Sequence, residues 1–194
     1  LDKIKQVVDV RDGEIMFGLN MVVHKGKTIF VGDTSVHEYP TSEQMAEMAI
    51  STARVVRLFG FDPKVAFVSH STFGQPLTSR TKHIRKAVDI LKEKKVDFEF
   101  DGDMQPDVAL NPEYKDLYPF SKIVGKANIL IMPGQHSAAI SYKMMKTLGD
   151  TKVIGPLLIG LGLPIEIAPL RSSTSELINL ASIAAYSADV IDYN

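Results

Sequence analysis

A cluster of hydroxyl-bearing and small residues at positions 69–74 has the composition of an anion-binding loop. The members that could contact a ligand are Ser69, Ser71, Thr72 and Gly74. The cluster follows an apolar segment at 65–68, which predicts a buried strand, and precedes a helix predicted over 78–94. Hydroxyls and backbone amides near a helix N-terminus can hold phosphate. A turn that only caps the helix has the same composition, so both interpretations stay open.

Three carboxylates follow the next predicted strand, at Asp101, Asp103 and Asp107. Hard cations prefer oxygen ligands of this kind, but the spacing does not match a calcium-binding loop. Asp103 could instead stand in the first turn of the following helix, where the helix dipole favours negative charge. We favour this structural role. Cysteine is absent and none of the five histidines forms a His-x-x-x-His pair, so no metal site is predicted.

Two further loops open helices. His136 follows a predicted strand, and an imidazole there could donate to an anion or act as an acid or base. Arg171 and Ser172 precede the last helix, where a basic loop could meet a phosphate or pyrophosphate. A surface or capping role is the more common interpretation of both loops. Ser173 and Glu176 have the Ser-x-x-Glu form of a capping box.

The elements that must position these loops alternate between strands and helices. Further strands are predicted at 98–100, 129–132, 153–159 and 165–169, and further helices at 1–10, 41–59, 104–110, 137–148 and 173–188. Short apolar strands alternating with helices are typical of βαβ units. We therefore expect a three-layer α/β/α domain with a mostly parallel sheet. An antiparallel hairpin is predicted over 14–31, with its turn at Lys25-Gly26-Lys27.

Composition excludes several classes of protein. The 194 residues carry 22 basic and 23 acidic side chains, so no bulk field favours nucleic acid or an anionic membrane. The uncharged stretch 153–165 has no more than two thirds of the roughly 20 residues that span a bilayer. Absence of cysteine agrees with a reducing compartment, and we expect a cytoplasmic protein. Because the chain begins at Leu1 without methionine, we expect a piece of a longer polypeptide.

Five segments carry a resemblance to one family, in the order in which that family has them. They are 31–34, 67–74, 100–110, 125–133 and 154–160. On these segments the chain resembles the phosphate acetyl/butyryl transferases, or phosphotransacetylases. The resemblance implies a fold like that of isocitrate and isopropylmalate dehydrogenases, with two subdomains flanking a cleft. The chain would then be a fragment of such a domain, with the second subdomain over about 1–168 and a closing C-terminal helix over about 169–194.

Two departures from the family pattern bear on activity. Pro169, Leu170 and Arg171 fall where catalytic members hold Ser-Arg-Gly, so an aliphatic side chain replaces the guanidinium that grips acyl phosphate. Phe73 stands where lysine is often found. Loss of one preorganised donor costs on the order of 3 kcal/mol of transition-state stabilisation. The resemblance therefore implies no catalytic residue in this domain. An active enzyme would have to use Arg171, Ser71 and Glu176.

In the stretch 36–40 and in the non-polar Leu170, the chain resembles the branch of this family that is fused to the C-terminus of bacterial NADP-dependent malic enzymes and binds acetyl-CoA as a regulator. The implied acetyl-CoA contacts are Ser69, Ser71, Thr72, Gly74, His136, Arg171, Ser172 and Glu176. No cofactor is expected in the domain itself, whereas NADP and a divalent metal would belong to a malic enzyme domain in the same chain. We also expect a homo-oligomer. An active phosphate acetyltransferase and an oligomerisation scaffold without ligand are the alternatives.

Overall fold

The computed structural model describes residues 2–190, which form six helices and seven strands. The helices are α1 Asp2–Lys5, α2 Ser42–Leu58, α3 Ser79–Lys94, α4 Pro106–Leu110, α5 Gln135–Leu148 and α6 Thr174–Val190, with a 3-10 helix at Pro112–Leu117. The strands are β1 Phe17–His24, β2 Lys27–Gly32, β3 Lys64–Val68, β4 Glu99–Met104, β5 Ile129–Ile131, β6 Thr151–Ile159 and β7 Ile165–Glu166. The predicted order of elements is confirmed over this range. The last four residues of the predicted closing segment lie outside it.

One sheet holds all seven strands in the order β4-β3-β5-β2-β1-β6-β7. The pairs among β4, β3, β5 and β2 are parallel, whereas β1, β6 and β7 are joined by antiparallel pairs. The prediction of mostly parallel pairing is therefore wrong for three of the six strand pairs, although β2, β3, β4, β5 and β6 all run in the same direction. The predicted hairpin accounts for one of these antiparallel pairs, because Lys25 and Gly26, at φ 48° and 72°, reverse the chain between β1 and β2.

Helices cover both faces of the sheet, so the predicted three-layer α/β/α architecture is confirmed. A core on one face joins the sheet to α2, α3 and Leu180 of α6. A second core on the other face joins it to Ala109 of α4 and Ala138 of α5. In the part of the chain described, no helix has the length and apolar character needed to cross a membrane.

Local sequence explains where the two long helices begin. Thr41 and Thr78 each accept a hydrogen bond from the third residue of their helix, whose side chain bonds back to the cap. Gly60, at φ 80°, follows the end of α2. Both helices agree with the predicted ranges to within a residue. The helix predicted over 1–10 is wrong beyond Lys5, and β7 is shorter than the strand predicted over 165–169.

Glu166 on β7 provides the first testable prediction. Burial raises the pKa of Glu166 to about 8, partly offset by a hydrogen bond from the Leu158 amide. The folded state then keeps a proton that the unfolded chain releases near its ordinary pKa of 4.5. Stability is expected to fall as pH rises between these values. Glu166→Gln should remove that slope and stabilise the protein by about 3–5 kcal/mol near pH 9, because each pKa unit between 4.5 and about 8 is worth about 1.4 kcal/mol.

Urea unfolding of both proteins near pH 5 and near pH 9 measures this effect. Glu93→Gln, the same change at an exposed position of α3, is the control and should leave the slope intact. A pH slope that persists in Glu166→Gln would show that another group causes it.

Candidate functional site

The loops after the parallel strands meet at one edge of the sheet. β2, β3, β4 and β5 run in the same direction, so their carboxyl ends lie side by side. The segments beginning at Asp33, Ser69, Gln105 and Met132 therefore share this edge. We call it the carboxyl edge. It brings together three of the four loops that the sequence singled out.

The loop at residues 69–74, which we call the serine loop, is buried inside the protein rather than exposed to solvent. Ser71 is completely buried, and Ser69 and Thr72 are at most 6% exposed. The Ser71 hydroxyl donates to the carboxylate of Asp103, which is also fully buried. Asp103 Oδ1 accepts from the Gly74 amide at 3.0 Å. These residues build the loop, and their hydroxyls do not line an open surface.

Asp103 is therefore not in the first turn of α4, and that prediction is wrong. It is part of β4, where its carboxylate fixes the neighbouring loop, and Gln105 precedes α4 without a side-chain cap. Asp101 accepts from the backbone amides of Gly102 and Lys122 at 2.9 and 2.8 Å. Asp101 and Asp103 are thus occupied by protein donors, whereas Asp107 is exposed in the first turn of α4. Among the described residues no group of three or more His, Cys, Asp or Glu could hold a metal ion.

Phe73 and Arg85 determine the outer surface of the loop. Phe73, at φ 50°, packs against Tyr118 and Phe120 with ring centroids 5.5 and 4.8 Å apart. An aromatic cluster thus occupies the position where the family often has lysine. Arg85 Nη1 lies 3.9 Å from Asp103 Oδ1, and a Cβ on Gly74 would come within 2.9 Å of it. The Arg85 guanidinium gives this loop a positive charge that sequence reasoning missed.

An open cavity of about 360 Å³ also lies at the carboxyl edge. Its walls come from the first turns of α2 and α3 and from the end of β5, and include Tyr39, Thr41, Ser79, Arg80, His83 and Pro133. The Arg80 guanidinium lies 5.3 Å from the centre of the Tyr39 ring, a cation–π distance. No carboxylate lines the cavity. A cation, an exposed aromatic ring and helix N-termini together suit a ligand that carries phosphate and a planar ring.

His83 is held in a fixed orientation in this cavity. Its Nε2 lies 2.9 Å from the Pro40 carbonyl oxygen, to which it can only donate, and its Nδ1 lies 3.0 Å from Ser42 Oγ. Sequence reasoning missed Tyr39, Arg80 and His83. The only available signal was that residues 39–42 and 78–83 start helices that follow neighbouring strands.

Asp33 organises the segment that leads into the cavity. Its fully buried carboxylate accepts from the amides of Gly18, Ser35, Val36 and His37 at 2.7–3.1 Å. His37 Nδ1 lies 2.7 Å from Asp33 Oδ2 and donates a fifth hydrogen bond. The carboxylate therefore fixes the path of residues 33–37, which carry the chain to Tyr39.

His136 lies at the same edge but is paired with an acid. Its Nε2 is 2.9 Å from Glu38 Oε1, and both side chains are exposed. The Gln135 amide donates to the His37 carbonyl oxygen at 2.9 Å, which joins the third loop to the segment that Asp33 organises. His136 therefore borders the carboxyl edge.

The fourth loop, at residues 171–176 before α6, forms a separate patch. Glu176 accepts from the Ser173 amide at 2.8 Å, and Ser173 Oγ accepts from the Glu176 amide, so the predicted capping box is confirmed. Lys146 also donates to Glu176 at 2.9 Å. The hydrogen bonds from Ser173 and Lys146 hold the pKa of Glu176 at about 2.

Helix α5 separates this patch from the carboxyl edge. Lys146 lies ten residues beyond His136 on α5, which is about 15 Å along the helix axis. Ser172 lines the same small cavity as Lys146 and Glu176, while Arg171 and Leu170 are exposed nearby. The structure thus divides the predicted contact residues into two groups. Arg171, Ser172 and Glu176 do not join the serine loop.

Fold and site geometry define a three-layer α/β protein with an open cavity at the carboxyl edge of its sheet. The sequence model of the phosphate acetyl/butaryl transferase family matches residues 1–185, and the chain belongs to this family. The similar proteins include an NADP-dependent malic enzyme from Rhizobium meliloti, 44% identical over 188 residues. That match covers 97% of this chain and 25% of the malic enzyme.

Phosphotransacetylases are also similar to the chain. A phosphate acetyltransferase from Bacillus subtilis is 31% identical, over 93% of this chain and 56% of the relative. The crystal structure of a phosphotransacetylase from Streptococcus pyogenes superimposes with a TM-score of 0.89 at 30% identity, covering 95% of this chain and 57% of that one. The chain therefore spans about a quarter of the malic enzyme and somewhat over half of the transferases.

Proposed function

We propose that this chain is the regulatory acetyl-CoA-binding domain of an NADP-dependent malic enzyme and that it does not transfer acetyl groups. The similarity to malic enzymes over nearly all of the chain supports the first part. In this proposal a malic enzyme domain of the same polypeptide oxidatively decarboxylates malate to pyruvate. NADP and a divalent metal would bind there, and the polypeptide would act in the cytoplasm.

The observation that carries the proposal is the contrast between the buried serine loop and the open cavity at the same edge of the sheet. Ser71 is fully buried and its only proton is donated to Asp103, so its hydroxyl cannot reach an acyl phosphate. Phe73 and Leu170 replace two further polar groups expected of a transferase. Catalysis of acyl transfer requires donors aimed at the charge that develops in the transition state. We infer that this domain lacks that set.

Acetyl-CoA suits the cavity at the carboxyl edge. Its phosphates would pair with Arg80, and its adenine would stack on Tyr39. His136 and residues 69–74 follow strands at the same edge of the sheet but do not line the cavity. Arg171, Ser172 and Glu176 lie in the other patch, so we assign them no contact with the ligand in this proposal.

Self-association is supported by an exposed apolar stripe on α5. Ile140, Met144 and Leu148 recur every four residues and are 54–81% exposed. A stripe of this kind is typical of a helix that packs on a partner. We propose that a second copy covers part of it and that the protein is a homo-oligomer.

Calorimetric titration of the intact polypeptide with acetyl-CoA tests the binding proposal. Saturable heat is expected, and S-acetylpantetheine, which lacks the phosphates, should bind much more weakly. Absence of heat at millimolar acetyl-CoA would refute it. The rate of NADPH formation from malate, measured with and without acetyl-CoA, then tests regulation separately, and an unchanged rate would leave a binding domain without a regulatory role.

A second candidate is an active phosphate acetyltransferase. Arg85, which lies beside Gly74, favours it because this guanidinium could replace a cation lost elsewhere in the loop. Arg171 and Glu176, which this reaction would otherwise use, are in the other patch. Formation of thioester from acetyl phosphate and CoA distinguishes the two functions. An oligomer that binds no acyl-CoA would instead be a scaffold.

A further inference from the structure

A second large cavity lies at the opposite end of the sheet from the carboxyl edge. It measures about 450 Å³ and is lined by the end of β1, the beginnings of β2 and β6, and the last turn of α5. Ligand cavities for small molecules span roughly 300–1,000 Å³. We call it the basal cavity. Neither the acetyl-CoA proposal nor the serine loop involves any of its residues.

The floor of the basal cavity is aliphatic. Val22, Ile29, Leu110, Met145 and Leu148 supply most of its surface. No Phe, Tyr or Trp lines it, so it offers no platform for a nucleobase. Flexible and branched aliphatic side chains are instead suited to packing along an alkyl chain.

Every charged group at the rim is basic. Lys27 and Lys126 line the cavity, and neither forms an ion pair with a carboxylate in the described part of the chain. His24 and Thr151 also line the cavity. His24 Nδ1 lies 3.1 Å from the Asp150 carbonyl oxygen and 2.9 Å from Thr151 Oγ1. No acidic side chain lines the cavity. An anionic head group would therefore find two unpartnered ammonium groups at the end of an apolar floor.

We propose that the basal cavity binds a straight-chain alkyl carboxylate, with its chain along the aliphatic floor and its carboxylate between Lys27 and Lys126. The charge of the rim selects an anion, and the lining selects an alkyl body over an aromatic one. Exposed lysines hold such a head group as point charges, so each adds modest affinity. The alkyl chain supplies most of the binding energy.

Calorimetric titration of the protein with octanoate, hexanoate and 1-octanol tests this site. Octanoate is expected to bind saturably and about tenfold more tightly than hexanoate, since two more methylenes are buried. The double variant Lys27→Gln/Lys126→Gln should weaken octanoate binding about fivefold. It should leave 1-octanol binding and acetyl-CoA binding unchanged. Lys82→Gln on α3, which also removes an exposed lysine, is the matched control and should change nothing.

Three outcomes would overturn the proposal. One is the absence of octanoate binding, and another is octanoate affinity that is the same in the double variant. The third is that a second copy fills the cavity, because Leu148 also belongs to the α5 stripe. Light scattering across protein concentrations detects this last case as an oligomer whose mass stays the same when octanoate is added. Circular dichroism checks that the double variant is folded.

Discussion

Replacing Asp33 by alanine is expected to lower the free energy of unfolding by about 4 kcal/mol. The carboxylate is fully buried and accepts hydrogen bonds from four backbone amides and from His37 Nδ1. Alanine would leave these donors without their acceptor, and each unsatisfied buried donor costs about 1–3 kcal/mol. Entry of water into the space should recover part of this loss. The total is a large share of the roughly 5–15 kcal/mol that stabilises an ordinary domain.

Urea denaturation followed by far-ultraviolet circular dichroism measures the change. Asp89→Ala is the matched control, because Asp89 is an exposed aspartate paired only with Lys92 on the surface of α3. Its effect should be below about 0.5 kcal/mol. A loss in Asp33→Ala as small as that of the control would mean that residues 33–37 hold their path without the carboxylate.

Replacing Arg80 by alanine is expected to weaken acetyl-CoA binding by about thirtyfold. A hydrogen bond to a charged group contributes about 1.5–3 kcal/mol, and Arg80 is the one arginine or lysine that lines the cavity at the carboxyl edge. The change also removes the guanidinium from the Tyr39 ring. Stability should hardly change, because Arg80 is exposed in the first turn of α3.

Calorimetric titration of the variant with acetyl-CoA gives this number directly. Arg57→Ala is a suitable control, since Arg57 lies in the last turn of α2 and pairs with the exposed Asp97. It should bind acetyl-CoA like the unaltered protein. Equal affinity in Arg80→Ala and Arg57→Ala would place the ligand outside this cavity.

Local sequence was enough to predict most of the fold. The beginnings of the helices near 41 and 78 and the turn at Lys25-Gly26 depend on neighbouring residues, so they were predicted directly. The capping box of Ser173 and Glu176 was predicted for the same reason. Strand order is a tertiary property. The antiparallel pairing of β6 with β1, across more than a hundred residues, was therefore missed.

The candidate site was predicted less well, for a related reason. A row of serine, threonine and glycine has the same composition whether its hydroxyls face solvent or the interior, and the burial of Ser71 follows only from its contact with Asp103. The cavity at the carboxyl edge joins residues about forty positions apart, such as Tyr39 and Arg80. No spacing along the chain indicates such a meeting. The separation of Glu176 from the serine loop likewise follows from the length of α5.

We propose that this domain recognises acetyl-CoA without converting it, because Ser71 is buried against Asp103. The most direct test is to incubate the intact polypeptide with acetyl phosphate and CoA and to follow thioester absorbance. No thioester above the uncatalysed background is the predicted result. Thioester formation at an ordinary enzymatic rate, on the order of 10 per second, would contradict it.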